Sequence, residues 1–206
     1  KKKKIISILL KMSSHENLIA GVDEVGKGSL FGPVFAGAVI LNKTNESKLL
    51  SLGLKDSKKL NQSQRHNLVP LIKENSIGWS IGQASAREID SFGIREATEK
   101  AMVRALEKFS SPPDLILVDG ILPIRLWPGK QQTQVRGESH FPSIAAASVL
   151  AKEARDELIK RLSLSYSLYE LDKNKGYGTE MHRKNLIKAG ATKLHRKSFL
   201  SKLEIV

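Results

Sequence analysis

Two adjacent carboxylates, Asp23 and Glu24, run directly into Val25-Gly26-Lys27-Gly28, a lysine framed by glycines. Acids in a tight connection can bind a hard divalent cation, and flexible glycines let backbone N–H groups come close to a ligand. Carboxylates that hold a metal beside a cationic, amide-rich loop suit a phosphodiester substrate. A second acid, Asp119, is followed by Gly120 at the end of the apolar run Leu115-Ile116-Leu117-Val118. Asp-Gly is a common turn pair, so Asp119 alone reads as a turn residue. Open α/β sheets, however, place ligands at the ends of buried strands. Two such acidic sites, on a basic chain without a His/Cys cluster, point to oxygen ligation of Mg²⁺ or Mn²⁺.

These acids need a frame that brings them together. Residues 18–22 and 33–41 read as strands on either side of the glycine loop. Side chains alternate along a strand, so Asp23 and Glu24 share one site only where the strand ends or twists. The unbroken apolar run before Asp119 predicts a strand buried on both faces, as in a central parallel sheet. Residues 77–84 and 131–135 are further strand candidates. Helical spacing is expected over 62–74, capped by Asn61 and kinked or split by Pro70. It recurs through Ile94, Ala97, Ala101, Ala105 and Phe109, and again over 143–162, where a row of alanines permits close approach to a sheet. A further helix is expected over 180–189. The fold class is therefore α/β, a central sheet flanked by helices with a helical C-terminal extension.

The 206 residues suffice for one substantial core. Thirty-four basic against 21 acidic residues give a formal charge of +13, which favours a polyanionic partner, either nucleic acid or an anionic membrane face. Between Lys173 and Lys202 lie nine Lys/Arg residues and a single acid, Glu180, with Tyr177 and Phe199 among them. Aromatic side chains in a basic segment can stack on a sugar or base. Arg183, Lys184 and Lys188 fall close together on a helix, as a phosphate-tracking face should. The absence of cysteine excludes disulfides, zinc thiolates and a thiol nucleophile, and fits a reducing cytoplasm. No run approaches a membrane span. Residues 1–16 read as a flexible basic arm rather than a signal peptide, 17–162 as the core and 163–206 as a basic extension. The missing initiator Met suggests a segment of a longer chain.

Other chemistries fit less well. Gly21, Gly26 and Lys27 reproduce the phosphate-loop spacing, but Gly28 stands where Ser or Thr would ligate magnesium, and two acids would sit inside the cradle. No G-x-S-x-G is present, and His66, His140, His182 and His195 show no partner pattern, so each is expected at the surface or a helix end. Trp79 and Trp127 are expected to pack.

Asp23-Glu24-Val25-Gly26-Lys27-Gly28 with Phe31-Gly32-Pro33 resembles the opening motif of bacterial type 2 ribonucleases H. The likeness continues through Asp56-Ser57-Lys58-Lys59-Leu60, Leu117-Val118-Asp119-Gly120 and Ile144-Ala145-Ala146-Ala147-Ser148-Val149-Leu150-Ala151-Lys152. It closes with Lys175-Gly176-Tyr177-Gly178-Thr179 and His195-Arg196-Lys197-Ser198-Phe199, motifs that favour the HII branch over HIII.

The resemblance implies a ribonuclease H-like fold and endonucleolytic cleavage of RNA in RNA–DNA hybrids. It also implies incision at single ribonucleotides in duplex DNA, leaving 3′-hydroxyl and 5′-phosphate ends. Carried over by motif, Asp23, Glu24 and Asp119 are metal-binding catalytic acids. The family's fourth acid lies in an Arg/Lys-Gly-Asp-Ser segment that here reads Arg136-Gly137-Glu138-Ser139, so Glu138 takes its place, one methylene longer, as in the HIII branch. Lys27 stands where the family usually has arginine and loses the planar fork. The loop Gly26-Lys27-Gly28 is implied to sense the ribose 2′-hydroxyl, and Tyr177 to pack at the RNA–DNA junction. Ser57, Lys58, Lys59, Arg183, Lys184 and Lys197 are candidate substrate contacts. Two-metal hydrolysis follows as an expectation, with Mn²⁺ or Mg²⁺ held by Asp23, Glu24, Asp119 and Glu138, in a monomer acting on hybrids and ribonucleotide-containing DNA, away from membranes. It requires Asp119 to face Asp23 with no lysine ion pair filling the space between. A non-catalytic basic nucleic-acid-binding module, or another nuclease or resolvase of the same fold, are the alternatives.

Overall fold

The computed structural model describes residues 17–201; the arm expected over 1–16 and residues 202–206 lie outside it. Five strands form one mixed sheet in the order β3-β2-β1-β4-β5. β1 (Ile19–Val25), β2 (Val34–Ile40) and β3 (Gly78–Ala84) form an antiparallel meander. β4 (Leu115–Asp119) and β5 (Gln131–Gln134) extend it in parallel on the other side of β1. β1 is thus central, flanked by an antiparallel and a parallel neighbour, and its end emerges beside the end of β4. Among the described residues no helix is long and apolar enough to cross a membrane.

Helices cover both faces. On one lie α1 (Lys43–Ser51), α2 (Gln62–Asn75) and α4 (Pro142–Ser165), with Leu49, Leu68 and Ile72 packed against Ala145, Ala146, Val149 and Leu150. On the other lies α3 (Ala86–Leu106), whose Ala97, Ala101 and Ala105 meet Ala20, Val22, Ala36 and Ala38 of the sheet. Small residues set these distances. A Cβ at Gly21 would run into the backbone of Ser143 and Ile144, and one at Gly37 into the Ala147 carbonyl. The long α4 therefore lies against the start of β1 and the middle of β2, as the row of alanines led one to expect.

Two expectations need correction, and one helix is additional. Pro70 neither kinks nor splits α2, which runs unbroken to Asn75. Its ring is exposed, so the carbonyl it leaves unpaired reaches water, while Leu68 and Ile72 anchor the opposite side. The helix expected from Ile94 begins at Ala86, behind a Ser85–Glu88 capping box, and bends at Gly93 (φ +80°). α1, capped by Asn42, was not anticipated; one buried residue, Leu49, leaves no periodic stripe.

The chain after α4 packs as a third layer. α5 (Leu171–Asn174), α6 (Glu180–Ala189) and α7 (Lys197–Leu200) gather Leu171, Leu186 and Leu200 around Leu30, Phe31, Ile159 and Tyr169. Leu30 and Phe31 belong to the loop between β1 and β2. The basic C-terminal segment therefore supports the glycine loop directly.

Candidate active site

The register of β1 against β4 places the two acidic positions together. Val22 pairs with Val118, so the next residues along the parallel strands are Asp23 and Asp119. Adjacent strands lie about 4.8 Å apart, with successive side chains on opposite faces, so both acids leave the sheet edge on the same side. Asp23 is 5 % exposed. Burial, then Glu24, and further down Asp119, push its carboxyl well above the usual range, against hydrogen bonds from Ser148 and the Glu24 N–H. Glu24, half-buried, lines the same cavity of about 380 Å³, together with Asp119, Gly26, Lys27, Gly28, Ser57, Lys58 and Tyr177. Because it points to the other side of the strand, Glu24 also borders a larger, mostly apolar groove of about 710 Å³ beside Ile121, Leu122 and Met102.

Asp119 and Glu138 are linked through the backbone. Asp119 Oδ1 accepts from the Gly137 N–H at 2.6 Å, which fixes the turn Gly137–Ser139 that carries Glu138. Glu138 is buried; its Oε1 takes a hydrogen bond from Lys58 Nζ at 2.8 Å, and its Oε2 lies 3.3 Å from Ser148 Oγ. Ser148 Oγ is in turn 2.9 Å from Ser57 Oγ. The Ser148 hydroxyl lies between Ser57 and Glu138 and also favours the charged form of Asp23. Ser148 thus ties the fourth acid to the first. In the sequence it is only a polar break in the alanine row of α4, with no spacing that marks a role.

Lysines accompany the acids. Lys58 pairs with Glu138, and Glu138 holds the Lys58 ammonium above its ordinary pKa. Lys27 Nζ lies 3.0 Å from Glu24 Oε1. These pairs form on Glu24 and Glu138; Asp23 and Asp119 carry none among the described residues. As they stand, no three His or acidic side chains among the described residues converge tightly enough to enclose an ion. The donor set is nonetheless all oxygen, and the raised Asp23 marks a place short of positive charge, so the residues fit a hard divalent cation, which Glu24 and Glu138 would reach only by releasing their lysines.

The loop after the acids is braced from below. Gly26 has φ +88°, and a Cβ there would strike the Arg155 guanidinium. Gly28 meets nothing within 4 Å, leaving its backbone open on the cavity side. Arg155 and Arg196 are both fully buried, with no carboxylate partner among the described residues. Arg155 donates to Pro33 O, Lys175 O and Ser29 Oγ; Arg196 donates to Gly32 O and Lys27 O. Burial pushes both guanidinium groups down, Arg196 to about 9 with Arg155 adding to the effect. Gly176 O accepts from Leu30 N and Phe31 N, and Tyr177 bridges to Ser29 with its ring 5.5 Å from the Arg155 guanidinium. Arg65 and Lys152, neither anticipated, complete the cavity wall and are held by Glu153 and Asp156.

The remaining basic candidates lie elsewhere. Lys59 borders a separate depression with Glu138 and His140, and lies 4.0 Å from Asp56. Arg183 is exposed and donates to Gly178 O; Lys184 pairs with Glu180 at 2.7 Å. Lys197 is exposed at the start of α7, where its N–H bonds Asp90. Trp127 packs against the core, whereas Trp79 is 40 % exposed beneath Lys73.

His182 and His195 contradict the expectation of surface or helix-end positions. Both are buried, with their Nε2 atoms 3.2 Å apart. Burial, helped by His182, lowers His195 to about 4, and burial also lowers His182. A neutral native histidine adds stability above its unfolded pKa near 6.5, and that stability drains away as the pH falls toward 4. The urea midpoint should therefore drop between pH 6.5 and 5 by the equivalent of about 1.5 kcal/mol from His195, and less in His195→Phe. A profile identical in that variant would remove His195 as the cause.

Acids at the adjacent ends of β1 and β4, on a mixed five-stranded sheet with helices on both faces, define a ribonuclease H-like fold. Residues 20–202 match the family model of ribonuclease HII. The chain is 80 % identical over 194 residues to ribonuclease HII of Prochlorococcus marinus (strain NATL1A), covering 94 % of this chain and 100 % of that relative. It superposes on ribonuclease H2 from Pyrococcus horikoshii OT3 with a TM-score of 0.76 at 24 % identity, covering 91 % and 96 % of the two chains. For Bst-RNase HIII in complex with Mn²⁺ the TM-score is 0.69 at 19 % identity, covering 93 % and 67 %. The chain belongs to the ribonuclease HII family, endoribonucleases that act on RNA–DNA hybrids.

Proposed function

We propose that the chain incises RNA 5′ of ribonucleotides paired with DNA, single embedded ribonucleotides included, and leaves 3′-hydroxyl and 5′-phosphate ends. The observation that supports this reading is the placement of Asp23 and Asp119 side by side in a cavity closed by the glycine loop and rimmed by lysines. Divalent-metal dependence comes with the family. In this reading Asp23, Glu24, Asp119 and Glu138 would hold Mg²⁺ or Mn²⁺, which when bound supplies Lewis acidity to water and to the phosphate. Glu138, longer than the aspartate usual in this branch, reaches the site past Ser148, as in the HIII branch.

The other roles belong to this chain's own groups. Burial beside Glu24 and Asp119 raises the Asp23 carboxyl, and a bound cation would offset that repulsion. Lys27 and Lys58, freed from Glu24 and Glu138, turn to phosphate oxygens. The open backbone at Gly28 lets the loop approach the 2′-hydroxyl, the group that separates RNA from DNA. Tyr177 packs on the sugar at the junction. Hydrolysis forms a bond from water oxygen to phosphorus and breaks P–O3′, with a proton going to the leaving oxygen. The chain acts as a monomer in the cytoplasm.

A duplex carrying one ribonucleotide, incubated with Mg²⁺ or Mn²⁺, should be cut on the ribonucleotide's 5′ side. No cut would favour a non-catalytic binding module, which leaves the adjacent acids unexplained; cutting of branched junctions would favour a resolvase. Affinity should also fall with salt. Five phosphate contacts among Lys27, Lys58, Lys59, Arg183 and Lys197 give a slope of log K against log salt of about −4.5. A nearly flat plot would exclude this surface.

A further inference from the structure

Behind the candidate site, the two buried histidines form a chain of hydrogen bonds whose direction the backbone fixes. The Thr192 N–H donates to His195 Nδ1 at 3.0 Å, so Nδ1 carries a lone pair and the proton of the neutral ring sits on Nε2. That Nε2–H faces His182 Nε2 at 3.2 Å and must donate to it, which places the His182 proton on Nδ1. His182 Nδ1 lies 2.9 Å from the Tyr177 carbonyl oxygen. A backbone N–H cannot reverse its polarity, so one arrangement satisfies every member: Thr192 to His195, His195 to His182, His182 to Tyr177.

The rings are held for this purpose. His195 meets Phe31 and Tyr169 edge to face, with centroids 4.9 Å and 4.7 Å away. At the other end, the Tyr177 carbonyl accepts a second bond from the Thr179 N–H at 2.8 Å, and the Tyr177 N–H bonds Asn174 O at 2.9 Å. Both peptide groups of Tyr177 are thereby fixed while its side chain lines the cavity. Pinning α6 to the turn at Thr192 alone would require neither the His182 bond to Tyr177 nor a defined tautomer.

We propose that His182 and His195 are positioning residues: a neutral relay that sets the Tyr177 backbone, and through it the ring that meets the RNA–DNA junction. The proposal rests on the assignment of Tyr177 to substrate binding. Discrimination at the junction is then controlled by two side chains that touch no substrate.

Two-bond ¹H–¹⁵N spectra of the full chain at pH 7.5 test the relay without mutation. They should show His195 protonated on Nε2 and His182 on Nδ1; the opposite tautomer in either ring overturns the proposal. The functional readout is kcat/KM on a single-ribonucleotide duplex relative to a uniform RNA–DNA hybrid. His182→Leu should lower that ratio about tenfold. His182→Asn, whose amide nitrogen replaces Nδ1 as donor to Tyr177, should keep it within about twofold. The reverse order, or equal losses on both substrates, would overturn the relay. His195→Phe, which keeps the contacts to Phe31 and Tyr169, should lower the ratio in the wild type but not in a Tyr177→Ala background; additive losses would also count against it. If Tyr177→Ala itself leaves the ratio unchanged, the substrate role of Tyr177 fails, a result distinct from a failed relay.

Discussion

Asp119→Asn should abolish cleavage and leave binding of hybrid intact. The substitution is close to isosteric, and the asparagine carbonyl can still accept from the Gly137 N–H, so the turn carrying Glu138 keeps its place. What disappears is one negative charge next to Asp23, at the adjacent ends of two parallel strands. Removing a single preorganised electrostatic element from an active site costs at least about a hundredfold to a thousandfold in turnover. A shared ligand should sit at the upper end of that range. Single-turnover cleavage measured beside filter binding at fixed salt separates the two effects. Turnover within tenfold of the wild type would remove Asp119 from the catalytic set.

Asp23→Asn should do two opposite things, ending cleavage while stabilising the fold. The native carboxyl is buried beside Glu24 and Asp119 and favours the protonated form. An aspartate raised in this way stabilises the fold below its unfolded pKa near 3.8, and that stability is lost as the pH rises toward the native value. Its contribution therefore runs opposite to that of His195. At neutral pH an amide carries no such penalty and still accepts from Ser148. The melting temperature without divalent ions should rise by at least about 2 °C, the shift that 1 kcal/mol produces at this size. Manganese should raise the melting point of the wild type and much less that of the variant. Equal responses would mean that ions bind elsewhere. Such a trade between stability and function is common where like charges are held together for chemistry.

The acids could be read because their signal is local: an apolar run, a carboxylate, a glycine. Register then brings Asp23 beside Asp119, and that much needed only the parallel pairing expected of a doubly buried strand. What could not be read lies between distant segments. His182 and His195 meet across a turn with no repeating spacing. Arg155 sits on a helix and Arg196 near the last residues described, yet both end beneath the same loop. A buried arginine bonded mainly to backbone carbonyls leaves no signature, since those partner atoms belong to every residue alike. Lys184 shares a helix with Arg183 and Lys188, as its spacing implies, and pairs at the surface with Glu180 one turn earlier.

The double brace beneath the loop has a consequence for the order of events during synthesis. When α4 has left the ribosome, the sheet and the four acids can assemble, but Gly26–Pro33 still lacks its bonds to Gly176, Leu194 and Arg196. A nascent chain stalled at that stage would hold the loop from one side only, through Arg155 of α4 at Ser29 and Pro33. If the loop senses ribose as proposed, that selectivity is complete only when the final turns dock and supply the bonds from Gly176, Leu194 and Arg196.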